Sequence, residues 1–230
     1  REDYDKLIRI FNEKAKEIII MSTEISPLQS NAYAVNVKNG KRQLIGADEG
    51  THRIQLSGSG KYVIDNYTAH NVARNISVLA TSGKGKEINL LTAEHPMEAY
   101  NVPEITLGTI KAADGKTDLY YRLVKPVNFD ASKKYPAVIY VYGGPHSQMV
   151  QNSFMGLLRR WEMYMAQQGY LVYVQDNRGT SNRGAEFEKA IHGQCGQAEM
   201  ADQIEGVKML MELPYVDKDR IGVHGWSYGG

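Results

Sequence analysis

The stretch Gly225-Trp226-Ser227-Tyr228-Gly229-Gly230 directly follows the apolar run at residues 220–224. A serine between two glycines, at the point where a buried strand ends, is the pattern of a nucleophile elbow. The flanking residues must be small because the sharp strand-to-helix turn leaves no room for side chains. The pattern predicts that Ser227 is the nucleophile of a serine hydrolase, and the alternative is a glycine-rich turn with an incidental serine.

The residues before this turn alternate buried strands with helices. Three apolar runs are typical of strands that are covered on both faces: residues 136–142, 170–174 and 220–224. Apolar residues at helical spacing predict one helix over 154–165 and a second over 200–211. This order predicts a parallel α/β sheet, preceded by a β-hairpin over residues 104–125.

The first hundred residues consist of short extended runs separated by turns. Corresponding runs recur at an offset of about 44 residues, which is near the length of a four-stranded propeller blade. Asn39-Gly40 between two of the runs indicates a hairpin. We therefore predict the last blades of a β-propeller (1–103) followed by the N-terminal half of an α/β-hydrolase domain (104–230). For the first part, an unrelated antiparallel sheet is the alternative.

Charge and cysteine content argue against several classes of protein. The 27 basic and 26 acidic residues nearly cancel, so no long-range field attracts nucleic acid. No apolar run is long enough to predict a transmembrane helix. The only cysteine, Cys195, excludes an intrachain disulfide and a cysteine-based zinc site, and we expect it to be a packed thiol. We expect no metal and no cofactor.

A serine hydroxyl becomes a nucleophile only when a base removes its proton. In α/β-hydrolases the acidic residue and the histidine follow the serine along the chain. All six histidines here precede Ser227, and the nearest, His224, is expected to point from its strand into the flank of the sheet. We therefore expect residues 1–230 alone to lack the base and its acidic partner and to be inactive.

Two tyrosines are candidates for stabilising the oxyanion. The backbone N–H of Tyr228, the residue after the nucleophile, is the standard donor. A second donor is expected in the turn after the first of the three buried strands, where Tyr142 precedes two glycines. Its hydroxyl either donates to the oxyanion or packs against the elbow. Trp226 and Tyr228 flank the serine and either line a substrate pocket or pack locally.

Charged residues near the second helix are open to two interpretations. Glu199, Asp202 and Glu205 recur every three residues at its start. We expect them to complement the helix dipole on a solvated face rather than to serve as acid/base groups or metal ligands. Arg178, in the preceding loop, is expected to brace that loop by an ion pair rather than to bind a substrate carboxylate.

Several motifs together resemble the prolyl oligopeptidase superfamily, and the resemblance covers nearly the whole chain. They lie at residues 134–146, 176–184 (Asp-Asn-Arg-Gly-Thr-Ser-Asn-Arg-Gly), 196–203 (Gly-Gln-Ala-Glu-Met-Ala-Asp-Gln) and 225–230. Trp226 and Tyr228 around the serine point to the dipeptidyl peptidase IV branch. Residues 164–167, His192 and residues 219–224 are similar to bacterial prolyl tripeptidyl peptidases and their dipeptidyl peptidase relatives.

The resemblance implies an eight-bladed propeller that caps an α/β-hydrolase domain. It implies a serine exopeptidase that removes di- or tripeptides after proline from peptides with a free N-terminus. By resemblance, Ser227 is the nucleophile, and Tyr142 and Tyr228 donate to the oxyanion through a hydroxyl and a backbone N–H. Tyr228 also helps form the proline pocket, and Trp226 lines the leaving-group side. The resemblance further implies a periplasmic or secreted protein, and a homodimer in the intact enzyme.

The sequence departs from the family pattern in two respects. The catalytic Asp and His of the family lie after the elbow and are absent here, and we find no pair of glutamates that matches its amine-binding pair. Release of dipeptides or of tripeptides therefore stays open. An acylaminoacyl peptidase or esterase on the same scaffold remains an alternative, as does a propeller binding protein whose hydrolase half is inactive.

Overall fold

The chain divides into two compact units in a computed structural model that describes residues 6–12, as backbone only, and residues 16–230. The first unit comprises Arg1–Pro96 and Gln151–Met155, and the second comprises Met97–Val150 and Gly156–Gly230. The sequence-based division lies after residue 103, whereas the compact units separate after Pro96. Residues 151–155 belong to the first unit although they follow a strand of the second.

The first unit contains two four-stranded antiparallel sheets whose strands follow chain order. The first sheet is built from β1 (Lys6–Asn12), β2 (Glu17–Ser22), β3 (Asn31–Asn36) and β4 (Arg42–Ile45). The second is built from β5 (Thr51–Leu56), β6 (Tyr62–Ala69), β7 (Val72–Ala80) and β8 (Ile88–Thr92). Corresponding strands lie about 45 residues apart, so the predicted repeat is confirmed. The sequence analysis had not assigned β1 and β5.

Apolar side chains from both sheets form one core in the first unit. Its buried members are Ile19, Met21, Ala32, Ala34, Ile45 and Val63. The predicted hairpin joins β3 to β4, where Gly40 has a φ of +69° and its N–H donates to the Asn36 carbonyl at 2.8 Å. Glycine adopts this left-handed conformation at little energetic cost. This explains why the Asn39-Gly40 pair predicts the hairpin correctly.

The second unit is built on a five-stranded sheet in the order β13-β11-β12-β10-β9. Its strands are β9 (Ile105–Lys111), β10 (Asp118–Val124), β11 (Tyr135–Val141), β12 (Leu171–Asp176) and β13 (Val216–Gly225). Its helices are α1 (Arg160–Gln167), α2 (Ala185–Glu188) and α3 (Ala198–Glu212). Strands β11, β12 and β13 are parallel, and β9 and β10 form the predicted antiparallel hairpin.

Helices cover both faces of the central strand. All six residues of β12 are buried. Leu171 and Tyr173 pack with Leu210 of α3 on one face, and Val172 and Val174 pack on the other face in a cluster that contains Ala166 of α1. This α/β/α layering accounts for the continuous apolar runs, because such a strand has no solvent-facing side.

The prediction of one helix over residues 154–165 is wrong. A short 3₁₀ turn spans Phe154–Leu157, and α1 begins only at Arg160. Within the first unit, the N–H of Met155 donates to the His70 carbonyl at 3.0 Å, so it is not free for a helical bond. Met155 also has a φ of +53°, which a right-handed helix excludes. Among the described residues, no helix has the length and apolarity to cross a bilayer.

Candidate active site

The nucleophile elbow forms at the carboxyl end of β13. A tight 3₁₀ turn at Ser227–Gly229 follows the strand, and Ser227 is exposed with a φ of +56°. This left-handed conformation is unfavourable for serine and is the strain expected of a nucleophile elbow. A Cβ atom on Gly225 would overlap the carbonyl oxygen of Gly229, and one on Gly229 would overlap that of Val141. The turn therefore closes only because both positions are glycine.

The Tyr142 loop at the end of β11 lies beside the elbow. The ring centroids of Tyr142 and Tyr228 are 6.4 Å apart, and Tyr142 is partly buried. The carbonyl of Gly143 accepts a hydrogen bond of 2.9 Å from Asn177 Nδ2. Asn177 Oδ1 in turn accepts one of 3.0 Å from Gln203 Nε2 on α3. The structure thus brings the two predicted oxyanion tyrosines together and fixes one loop through buried side-chain amides.

A buried carboxylate fixes the segment that follows this loop. Asp176, at the end of β12, accepts the backbone N–H groups of Met149 and Val150, each at 2.8 Å. Burial raises the pKa of Asp176 to about 6, although both N–H bonds act in the opposite direction. Sequence analysis included Asp176 as the first residue of the motif at 176–184 but assigned it no role.

A buried ion pair holds the same segment from the other side. The Arg122 guanidinium forms a bidentate pair with Glu162, with distances of 2.9 and 2.8 Å, and both side chains are fully buried. The guanidinium also donates to the carbonyls of Met149 and Gly156, at 2.7 and 2.6 Å. The two ends of residues 149–156 are therefore tied to one cation on β10.

Glu199 contacts the candidate site directly. Its Oε1 accepts the Tyr228 hydroxyl at 2.7 Å and the Gly196 N–H at 3.0 Å, and the residue is only 6% exposed. Its predicted place on a solvated face is therefore wrong. Burial alone would raise the pKa of Glu199, but the hydrogen bonds from Tyr228 and the backbone outweigh it, and the net direction is down. Hydrogen bonds to Cys195 and Glu199 raise the pKa of Tyr228.

Asp202 is also buried, so the solvated face is wrong for this residue as well. It accepts the Arg178 guanidinium at 2.8 Å and the Arg178 backbone N–H at 2.9 Å. The predicted loop-bracing ion pair of Arg178 is thereby confirmed. Glu205, the third member of the series, pairs with Lys208 near the surface at 2.8 Å.

The remaining candidate residues, Trp226, His224 and Cys195, differ in their surroundings. Trp226 is 71% exposed, and no described contact buries it. The ring of His224 packs against Trp161 and Tyr140, with centroids 5.2 and 5.7 Å away, as expected of a side chain in the flank of the sheet. Cys195 is exposed, so the predicted packed thiol is wrong.

A cavity of about 550 Å³ opens beside the elbow within the second unit. Its wall combines the two site tyrosines with apolar side chains of β13 and α3: Tyr142, Tyr228, Val223, Met200, Ile204 and Val207. Glu199 and Gln203 of α3 are polar members of the same wall.

Comparison with known proteins finds similarities for both parts of the chain. The sequence matches the prolyl oligopeptidase family over residues 158–230 and the dipeptidyl peptidase IV N-terminal region over residues 4–74. Dipeptidyl peptidase 8 from Mus musculus is 35% identical over 230 residues, which is 95% of this chain and 25% of that protein. Prolyl endopeptidase FAP from the same organism is 35% identical over 160 residues, which is 67% of this chain and 20% of that protein.

Two crystal structures are similar over nearly the whole chain. A suggested dipeptidyl aminopeptidase IV from Bacteroides ovatus ATCC 8483 has a TM-score of 0.91 and 49% identity, covering 97% of this chain and 32% of that one. Porphyromonas gingivalis dipeptidyl peptidase 4 has a TM-score of 0.88 and 32% identity, covering 99% and 32%. The chain spans about a quarter of the length of the curated dipeptidyl peptidases that it matches.

Proposed function

Because the chain belongs to the prolyl oligopeptidase family, on its dipeptidyl peptidase IV branch, we propose that it is part of a serine exopeptidase that cleaves after proline. The enzyme releases di- or tripeptides from a free N-terminus, and the names of the relatives favour dipeptides. The observation that carries the proposal is the exposed Ser227, held in a left-handed conformation at the end of a buried parallel strand.

The fold assignment supports this proposal in more detail. The two four-stranded meanders of the first unit supply the last blades of a β-propeller, and the second unit supplies the first half of an α/β-hydrolase domain. In that architecture the nucleophile stands at the carboxyl end of a parallel strand, as Ser227 does after β13.

The reaction is acyl transfer to Ser227. Its Oγ attacks the carbonyl carbon of the proline residue, and the peptide C–N bond breaks to give an acyl-enzyme that water hydrolyses. The developing oxyanion accepts hydrogen bonds from the Tyr228 N–H and the Tyr142 hydroxyl, whose rings lie 6.4 Å apart. The Tyr228 ring forms a wall of the proline pocket, and Trp226 lines the leaving-group side.

The general base comes from outside residues 1–230 in this proposal. Among the histidines of the chain, His224 packs against Trp161 and Tyr140, and His52 is buried in the first unit beside Asp65. His146 of the second unit lies 3.5 Å from Glu188, and among the described residues no hydrogen bond joins any of the six histidines to the Ser227 hydroxyl. Residues 1–230 by themselves are therefore inactive, because the serine keeps its proton at neutral pH.

A fluorophosphonate probe tests the nucleophile. It labels the full-length protein and fails to label the Ser227→Ala variant, whereas Ser132→Ala, at an exposed turn serine, is labelled normally. The isolated residues 1–230 remain unlabelled, and labelling of that polypeptide would contradict the claim that the base lies elsewhere. A full-length protein that is not labelled at all would favour the non-catalytic propeller.

Chromogenic peptides then define the specificity. Full-length protein cleaves X-Pro and X-X-Pro substrates with a free amine, and the ratio of the two rates separates dipeptide from tripeptide release. N-acetylated versions of the same substrates are the matched control. Faster cleavage of the acetylated forms would reject the exopeptidase proposal in favour of an acylaminoacyl peptidase.

A further inference from the structure

The Tyr228 side chain is held at both ends of its ring. Near the backbone, the ring lies over Gly144, where a Cβ atom would come within 2.6 Å of Tyr228 Cγ. At the far end, the hydroxyl donates to Glu199 Oε1 at 2.7 Å. A tyrosine side chain has two rotatable bonds before its ring, so two such contacts fix the plane of the ring as well as its position.

Glu199 is itself immobilised. It is the second residue of α3, and the N–H of Gly196 binds the same carboxylate oxygen that receives the phenol. One turn later, Asp202 and Gln203 attach the helix to Arg178 and Asn177 in the loop after β12. The position of the Glu199 carboxylate is thus fixed relative to the sheet, and the Tyr228 hydroxyl is hydrogen-bonded to it.

From this geometry we propose that Glu199 is a positioning residue that sets the Tyr228 ring as the wall of the proline pocket and thereby determines the preference for proline. The inference rests on the proposed function and adds a specificity determinant to it. Glu199 acts through the tyrosine and does not touch the substrate.

The charges agree with this assignment. The pKa of Glu199 is lowered and that of Tyr228 is raised, so at neutral pH a carboxylate accepts from a neutral phenol. A hydrogen bond to a charged acceptor is stronger than a neutral one. Without it, the Tyr228 ring is free to turn toward the open cavity beside it. A bulky, conformationally restricted proline ring depends on a fixed wall more than the small side chain of alanine does.

The test compares proline and alanine at the cleavage position in full-length enzyme. In Glu199→Ala and in Tyr228→Phe, the ratio of kcat/KM for proline to that for alanine falls about tenfold, the size expected for loss of one charged hydrogen bond. The double variant shows no further fall beyond the larger single effect, because both changes remove the same bond. Glu199→Gln keeps an acceptor and lies between wild type and Glu199→Ala.

Two controls separate positioning from folding. Glu205→Gln changes a carboxylate on the same helix that pairs only with Lys208 at the surface, and its ratio stays at the wild-type value. Active enzyme is counted by fluorophosphonate titration, so a variant that merely folds poorly gives fewer sites with an unchanged ratio. If Glu199→Ala does not fold, Tyr228→Phe, which removes one oxygen atom, decides the question.

The outcomes distinguish this inference from the function on which it rests. Wild-type enzyme that prefers proline, together with an unchanged ratio in Glu199→Ala or in Tyr228→Phe, overturns the positioning role alone. Independent, additive effects of the two substitutions also overturn it. Wild-type enzyme without activity on proline peptides overturns both.

Discussion

Replacing Arg122 by methionine leaves the Glu162 carboxylate fully buried without its partner. Breaking a buried pair from one side costs about 3–5 kcal/mol, because the remaining charge is stranded in the protein interior. The carbonyls of Met149 and Gly156 lose their donor as well. We therefore expect the free energy of unfolding of the second unit to fall by at least about 3 kcal/mol.

The double variant Arg122→Met/Glu162→Met is expected to be more stable than either single variant. It leaves no unpaired charge at this position, and its main remaining cost is about 1 kcal/mol for each carbonyl that has lost a donor, or about 2 kcal/mol in all. The exposed pair Lys111–Asp118 is the matched control, since its side chains are 58% and 52% exposed. Replacing Lys111 by methionine changes stability by less than about 1 kcal/mol.

Hydrogen exchange of the β10 and α1 amides in full-length protein is the appropriate assay. It reports the stability of the unit that contains the pair, whereas a single global transition is not defined for a protein of several units. Protection of these amides falls in Arg122→Met and is partly restored in the double variant. The reasoning is refuted if Arg122→Met lies within about 1 kcal/mol of wild type, or if the double variant is the least stable of the three.

Two further substitutions test the elbow and the Asp176 carboxylate. Gly225→Ala forces a methyl group onto the Gly229 carbonyl, so fluorophosphonate labelling slows about hundredfold as the serine is displaced. Asp176, with its pKa raised to about 6, holds a proton more tightly in the folded state than in the unfolded state. Its stabilising contribution, about 3 kcal/mol, is complete below about pH 4 and is lost as the pH rises through about 6. The stability of wild type relative to Asp176→Asn, followed by hydrogen exchange of the β12 amides, therefore falls by about 3 kcal/mol between pH 4 and pH 7, and a constant difference contradicts the assignment.

The sequence predicts the fold correctly wherever buried positions produce a recognisable pattern of apolar residues. Strand β12 is covered on both faces, so its sequence is a nearly continuous apolar run. The Asn39-Gly40 pair predicts a hairpin turn because few residues other than glycine adopt the positive φ that Gly40 has there. Strand β5 was not predicted because four of its six residues, Thr-His-Arg-Ile-Gln-Leu, are polar. Its histidine is buried all the same, paired with Asp65 across the sheet at 2.7 Å. A polar residue that is satisfied inside the protein leaves no trace in a hydrophobic pattern.

The site was accessible only in part, for a related reason. Ser227 and its glycines are set by local backbone geometry, which a short motif captures. Glu199 and Asp202 lie on the buried side of α3. The usual rule places charged residues of a helix outward, and it does not foresee this burial because the partners of the two carboxylates are distant in sequence. Only the fold brings Tyr228 and Arg178 to them.

Residues 151–155 make the first unit discontinuous along the chain. The amide of Asn152 donates to the Leu28 carbonyl, its carbonyl accepts the Thr51 hydroxyl, and its side chain binds Gln29. During synthesis, the first unit is therefore completed only when residues 151–155 have left the ribosome, after all of Met97–Val150. Until then Leu28, Gln29 and Thr51 lack their Asn152 partner, and a nascent chain paused before residue 152 carries two incomplete units. A polypeptide that ends after Pro96 lacks residues 151–155 of the first unit. A polypeptide that includes them also carries the part of the second unit at Met97–Val150.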